Sequence, residues 1–214
     1  MIKENTKKHL YNILNQIDYL LESIENNNTL DTLLYFSHNG RINPSASEYY
    51  YKYPERGNDL LRRTNRNRRV NRPNNYFDRR QKIEDYMRSK LSELNVTPKH
   101  NFPIYSILDL GYIPERFYPG DNAIRLPIDV LKNNITFTIG DSFQAFTRMS
   151  NMNRRNCPIS NELFNLQGIK NIGRQELLKR VELIRNTYTN YYNTPPDYIE
   201  CQIWHNADYL NSIR

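Results

Sequence analysis

The stretch from Asn122 to Phe146, NAIRLPIDVLKNNITFTIGDSFQAF, decides how this chain folds. Ile135, Phe137 and Ile139 alternate with Thr136 and Thr138, the period-2 pattern of a half-buried strand. Ile124 to Val130 is a second β-rich run. Pro127 within it predicts an edge position or a bulge, because proline has no N–H for the ladder. After Ile139, Gly140-Asp141-Ser142 stops the strand and offers capping oxygens to a short helix carrying Phe143, Phe146 and Met149. The sheet is expected to be organised around this unit. A strand that stops abruptly leaves polar groups at its end, where open sheets often place ligands. A plain capped connection from strand to helix is the other reading.

Outward from that stretch the pattern alternates between the two periods. Residues 6–25 carry Leu10, Ile13, Leu14, Ile17, Leu20, Leu21 and Ile24 at helical spacing, which predicts an amphipathic helix. Leu33-Leu34-Tyr35-Phe36 is a short strand candidate, followed by a turn at Ser37-His38-Asn39-Gly40-Arg41 and a tyrosine cluster at Tyr49, Tyr50, Tyr51 and Tyr53. Helical periodicity resumes over 77–94 through Ile83, Tyr86, Met87, Leu91 and Leu94, and Pro103 to Leu108 reads as a buried strand. Short and long helices are expected over 161–166 and 174–192, and a terminal helical turn over 206–213. The last strand is expected over Asp197 to Trp204. Its Ile199, Cys201 and Ile203 form an apolar face, with Tyr198, Glu200, Gln202 and Trp204 on the other. These elements predict a single compact α+β domain with a central mixed sheet. We divide it into an N-terminal helix (1–28), an Arg/Asn-rich insertion (55–76) and the main core (77–214).

The chain has 214 residues and a net charge of +7, and the charge is concentrated. Arg56, Arg62, Arg63, Arg66, Arg68, Arg69, Arg72, Arg79 and Arg80 crowd one window opposed by Asp59 and Asp78. With few apolar residues beyond Leu60, Leu61 and Val70, the insertion is expected to be exposed or partly disordered. Guanidinium groups fit phosphates, so Arg62, Arg63, Arg66, Arg68, Arg69 and Arg72 are candidate contacts to DNA or RNA. A solvated basic loop is the competing reading. No apolar run of about 18 residues predicts a membrane span, and the N-terminus lacks the apolar core of a secretory signal. Cys157 and Cys201 are far apart in sequence, which argues against a zinc site or disulfide framework and for a reducing, cytoplasmic setting.

Several chemistries lack their motifs. There is no Gly-rich phosphate loop, GxGxxG, HExxH or GxSxG, and His9, His38, His100 and His205 are scattered, so no metal is expected. What remains is Glu200 beside aromatics and many arginines. Cleavage of the nicotinamide–ribose bond of NAD fits that inventory. A carboxylate opposes the positive charge developing on the ribose, arginine holds pyrophosphate and aromatic rings stack on nicotinamide. The alternative for Glu200 is an exposed strand glutamate paired with a nearby Lys or Arg.

The segment from Thr136 onward, with Tyr198-Ile199-Glu200-Cys201-Gln202-Ile203 and the closing Asp208-Tyr209-Leu210-Asn211-Ser212-Ile213, resembles the C-terminal half of DarT-type DNA ADP-ribosyltransferases. The resemblance implies NAD as substrate and Glu200 at the catalytic position. It also implies Ser37 and His38 at the nicotinamide end, with Arg41 or an arginine of the cluster on phosphate or target strand. The N-terminal half departs from the family pattern. Its nearest match to the NAD-binding His-Thr strand is Tyr35-Phe36-Ser37-His38, preceded by an extra helix. An ADP-ribosyltransferase acting on nucleic acid is thus the leading expectation, as a toxin or phage-conflict factor with an antitoxin-like protein as a partner. A non-enzymatic nucleic-acid-binding protein and a Tyr-rich scaffold protein are the alternatives.

Overall fold

The computed structural model describes residues 15, 18–23, 25–26, 31–34, 40–68, 74–109, 124–131, 133–142, 163–168, 171, 175–176, 179 and 198–213. At its centre is a sheet of β1 (Asp31–Leu34), β2 (Ile104–Asp109), β3 (Ile124–Pro127), β4 (Ile135–Ile139) and β5 (Ile199–Ile203), in the order β3-β1-β2-β5-β4. The domain is α+β as expected, but the sheet is not mixed: its four strand pairings are all antiparallel. The long connections explain this. The excursion between β4 and β5 leaves and re-enters at one end of the sheet, where the Gly140 N–H donates to the Tyr198 carbonyl at 2.9 Å. A connection that returns to the same end joins antiparallel neighbours.

The 122–146 stretch supplies both outer strands, not the middle. Pro127 ends β3 at one edge, where a missing donor does no harm. At the other edge, Phe164 exchanges two backbone hydrogen bonds with Phe137, at 2.7 and 2.9 Å, which covers part of the free side of β4. The inner strands are β1, β2 and β5.

Alternation along the strands sorts the side chains onto two faces. One face is apolar, with Ile199, Cys201, Ile203, Ile135, Phe137, Ile104 and Leu108 buried in one cluster. Leu20, from the helical residues 18–23, and Ile128, Leu131, Ala207 and Leu210 complete it. The opposite face is covered by helices. The helix expected over 77–94 spans Tyr76–Lys90 (α3 below), and its Ile83 and Met87 bury with Leu91, Val96, Leu163 and Trp204.

The helices in chain order are α1 (Ala46–Lys52), α2 (Gly57–Arg68), α3 (Tyr76–Lys90), α4 (Ile128–Leu131) and α5 (Ala207–Ser212). Ser45 caps α1 by accepting from the Glu48 N–H at 3.1 Å, and Asn206 caps α5 by accepting from the Tyr209 N–H at 2.8 Å. Such caps satisfy N–H groups that the helix itself cannot pair. Within the expected insertion, residues 57–68 form the helix α2, and the described residues of the insertion are mostly exposed, as expected. Arginine is a good helix former, and buried Leu61 anchors one side of α2. Gly57 lies against the Tyr50 ring, so closely that an added Cβ would collide with it. The short helix expected over 161–166 is corrected: Leu163 to Asn165 are non-helical, with Phe164 bridged to Phe137, and helical residues begin at Leu166. Tyr35 and Phe36 of the first strand candidate, the helix at 143–149 and most of 174–192 lie outside the described residues. Among the described residues no helix is long and apolar enough to cross a membrane.

Candidate functional site

Glu200 stands on β5 between Thr138 of β4 and Ile107 of β2, on the polar face that the alternation predicts. Glu200 is 7% exposed, which corrects the expectation of an exposed strand glutamate. Its Oε1 accepts from the Ser142 backbone N–H at 3.1 Å and from the Gln202 side-chain amide at 3.0 Å. The turn at 140–142 makes the first contact possible. Gly140 adopts φ of +81°, a conformation that costs glycine little, and the chain bends so that the Ser142 N–H meets the carboxylate. The expectation of polar groups at the end of β4 holds, and the Ser142 N–H among them is turned inward onto Glu200.

Gln202 is the hub of the network around Glu200. Its Nε2 donates to Thr138 Oγ1 at 2.9 Å as well as to Glu200, and its Oε1 accepts from Thr136 Oγ1 at 3.0 Å. Thr136 Oγ1 in turn accepts from Trp204 Nε1 at 2.9 Å, and Thr138 Oγ1 donates to the Gly140 carbonyl at 3.0 Å. Thr136 and Gln202 are paired across β4 and β5, as are Thr138 and Glu200. Register alone therefore brings the four together. A network satisfied in this way is rigid and holds the Glu200 carboxylate in one orientation.

Helix α3 supplies the charge that faces Glu200. The Arg80 Cζ sits 3.7 Å from the centre of the Tyr105 ring, a cation–π arrangement, and Tyr105 is the cross-strand partner of Gln202. Arg80 Nε donates to Glu84 Oε1 at 3.2 Å. Burial first, and then the neighbouring Asp141 carboxylate, raise the Glu200 carboxyl to about 7 against the opposing effects of Arg80, Ser142 and Gln202. At neutral pH Glu200 therefore lies near its own midpoint. Tyr105 is pushed well above the ordinary phenol range, first by burial, and serves as a neutral donor.

The other expected site residues are not assembled here. Ser37, His38, Arg69 and Arg72 lie outside the described residues. Arg41 is exposed beside Ile42, whose backbone is pinned by two hydrogen bonds to Asn211, each 2.9 Å. Arg62 is exposed on α2, 3.4 Å from Asp59, and Arg63, Arg66 and Arg68 belong to the same helix. Among the described residues of the arginine window, Arg80 is buried on the polar face. Sequence reading counted it as one charge among nine and missed Glu84. The signal was present: positions 80 and 84 share a helix side with Ile83 and Met87, so two charged residues fell on an apolar stripe. Cys201 is buried on the apolar face and its thiol is pushed up to about 12, chiefly by burial, far from a nucleophile's range.

Among the described residues no group of three His, Cys, Asp or Glu side chains is placed to hold a metal ion. The arrangement can do one thing chemically: present a desolvated, oriented carboxylate, poised near neutrality, to positive charge. Comparison with known proteins gives no match to any protein-family model, curated protein or solved structure, so the site stands on its own geometry.

Proposed function

We propose that this protein is an NAD-dependent, ADP-ribosyltransferase-like enzyme of the cytoplasm that modifies nucleic acid, with Glu200 as its catalytic carboxylate. The observation that carries the reading is the state of Glu200: desolvated, and oriented by the Ser142 N–H and the Gln202 amide. Bound NAD supplies a ribosyl group whose bond to nicotinamide breaks, the electron pair leaving with neutral nicotinamide and positive charge developing on the ribose. A carboxylate already stripped of water opposes that charge more strongly than a hydrated one, because no solvent must reorganise around it. On this reading Glu200 is the group that meets the ribose end of the substrate. The basic α2, carrying exposed Arg62, suits the phosphates of the acceptor.

A second reading is favoured by the burial of Glu200 beneath α3. On that reading the polar network is structural, and the arginine-bearing helix binds nucleic acid without catalysis. One experiment separates the two. Purified protein and Glu200→Gln are incubated with labelled NAD and single-stranded DNA, duplex DNA, RNA or no acceptor. Transfer of label that needs an acceptor and is lost in Glu200→Gln supports the enzyme. Salt-sensitive nucleic-acid binding without NAD consumption supports the second reading.

A further inference from the structure

Core packing does not account for every large side chain. Among the described residues the large hydrophobic side chains left exposed are Tyr19, Tyr49, Tyr51, Tyr53 and Val130, and three of these five lie on α1 or at its C-cap. The inner side of α1 is used for packing. Ser47 Oγ donates to Glu84 Oε1 at 2.8 Å, and Tyr50 stacks on Phe77 with ring centres 5.0 Å apart and donates to Asp78 at 2.8 Å. Tyr49 and Tyr53 stay exposed one turn apart, as a ring pair with centres 5.1 Å apart. Arg56 joins that pair: its Cζ lies 5.4 Å from the centre of the Tyr53 ring, and its Nη1 donates to the Tyr49 hydroxyl at 3.4 Å. Tyr51 leans on Phe102, with ring centres 5.3 Å apart, and is still 61% exposed. A water-facing helix position gains nothing from tyrosine, a weaker helix former than Ala, Glu or Lys. Clustered exposed rings edged by charge mark an interaction surface.

We propose that Tyr49, Tyr53 and Arg56, continued by α2, form a surface that binds single-stranded nucleic acid, with the tyrosine rings stacking on unpaired bases and the arginines meeting phosphates. The charge fits a polyanion. Residues 46–68 carry Lys52, Arg56, Arg62, Arg63, Arg66 and Arg68 against Glu48, Glu55 and Asp59. Each of those carboxylates has a cation nearby. Glu48 has Lys52 at 2.7 Å and His100 at 3.7 Å, Glu55 lies 3.8 Å from Arg56, and Asp59 lies 3.4 Å from Arg62. The surplus of positive charge in the segment therefore comes from Arg63, Arg66 and Arg68. The pairs at Arg56 and Arg62 are exposed on both sides, and such pairs are too weak to withhold a guanidinium from a phosphate. The rings decide the form of the strand. In a duplex the base faces are stacked on one another and closed to a side chain on a helix surface, whereas an unpaired base offers its face to tyrosine with arginine alongside. This surface rests on the nucleic-acid half of the reading above and not on NAD.

The test is fluorescence anisotropy of labelled single-stranded DNA, single-stranded RNA and the matching DNA duplex, titrated with the full-length protein across a salt series and without NAD. A single strand, whether DNA or RNA, is expected to bind more tightly than the duplex at equal salt. Replacing Tyr49 and Tyr53 together by Ala should weaken single-strand binding roughly tenfold or more, while replacing both by Phe, which keeps the rings, should hold it within about twofold of wild type. Arg56→Ala should lower the slope of log affinity against log salt. Val130→Ala, at an exposed position away from α1, is the control and should change nothing. These side chains are exposed, so the variants are expected to fold, and circular dichroism checks that they do. Equal affinity for single strand and duplex overturns the proposal, as does undiminished single-strand binding in the double Ala variant. Absence of nucleic-acid binding also overturns it and leaves the tyrosine face to a protein partner. Loss of single-strand binding in the double Ala variant, in a protein that never consumes NAD, supports the surface and counts against the enzyme. Acceptor-dependent label transfer that the double Ala variant retains in full overturns the surface and leaves the role of Glu200 standing.

Discussion

On β5, Ile199, Cys201 and Ile203 enter one side of the sheet while Glu200 and Gln202 enter the other, although the two sets are offset by a single residue. The apolar side is closed by Phe137, Leu108, Ile128 and Leu210, whose contribution is non-directional and scales with area removed from water. The polar side depends on direction. Its Gln202 amide must reach Thr136, Thr138 and Glu200 at once, and each buried polar atom left without a partner is costly. A register slip of one residue would exchange the two sets. Stability and candidate chemistry thus occupy opposite sides of one sheet and can be perturbed separately.

The largest expected effect on that division is Phe137→Ala. Phe137 is 1% exposed, and its truncation should cost about 3–5 kcal/mol of unfolding free energy in urea titrations, with the Glu200 midpoint unchanged in protein that remains folded. Equal damage to both would mean that the faces are one cooperative unit. Glu200→Gln should do the reverse: abolish label transfer and leave the fold intact. Its pH dependence has a definite sign. The folded carboxyl holds its proton up to about 7 against an ordinary value of 4.5, so the folded state binds more protons between those values. Wild-type stability therefore declines as pH rises through that window, and the variant should gain about 1–3 kcal/mol relative to wild type across it. A variant that loses stability there would show that the ionised carboxylate supports the fold.

Gln202→Leu sharpens the comparison from within the polar side. It leaves Thr136, Thr138 and Glu200 each short of a partner and should cost about 1–3 kcal/mol in thermal or urea unfolding, less than Phe137→Ala. The smallest effect is expected on the surface. Arg62→Ala removes an exposed pair with Asp59 and should change stability by less than about 0.5 kcal/mol. In nucleic-acid binding it should lower the slope of log affinity against log salt by about 0.9 if Arg62 meets a phosphate. An unchanged slope would place the acceptor elsewhere.

Much of the fold was legible in the chain. The alternation at 135–139 and 199–203, the helical stripe through Ile83 and Met87 and the edge position implied by Pro127 are local patterns, and each maps onto an observed element. Asp141 and Glu200 were legible as polar residues of a strand end and a strand face. Arg80 and Glu84 were not read as part of the site. The arginine window averaged them into a composition, and composition does not say which charge is buried.

The sequence by itself determined which residues alternate, where strands and helices break, and that Glu200 and Cys201 face opposite sides. Period and turn chemistry act over a few residues and need no partner to be read. Only the tertiary structure decided that the sheet is antiparallel, that the 122–146 stretch lies at its two edges, and that Glu200 is buried. Strand order and burial depend on contacts between residues far apart in the chain. Glu84 and Tyr105 are 21 residues apart in the chain, and they meet at 2.9 Å only because α3 packs against β2.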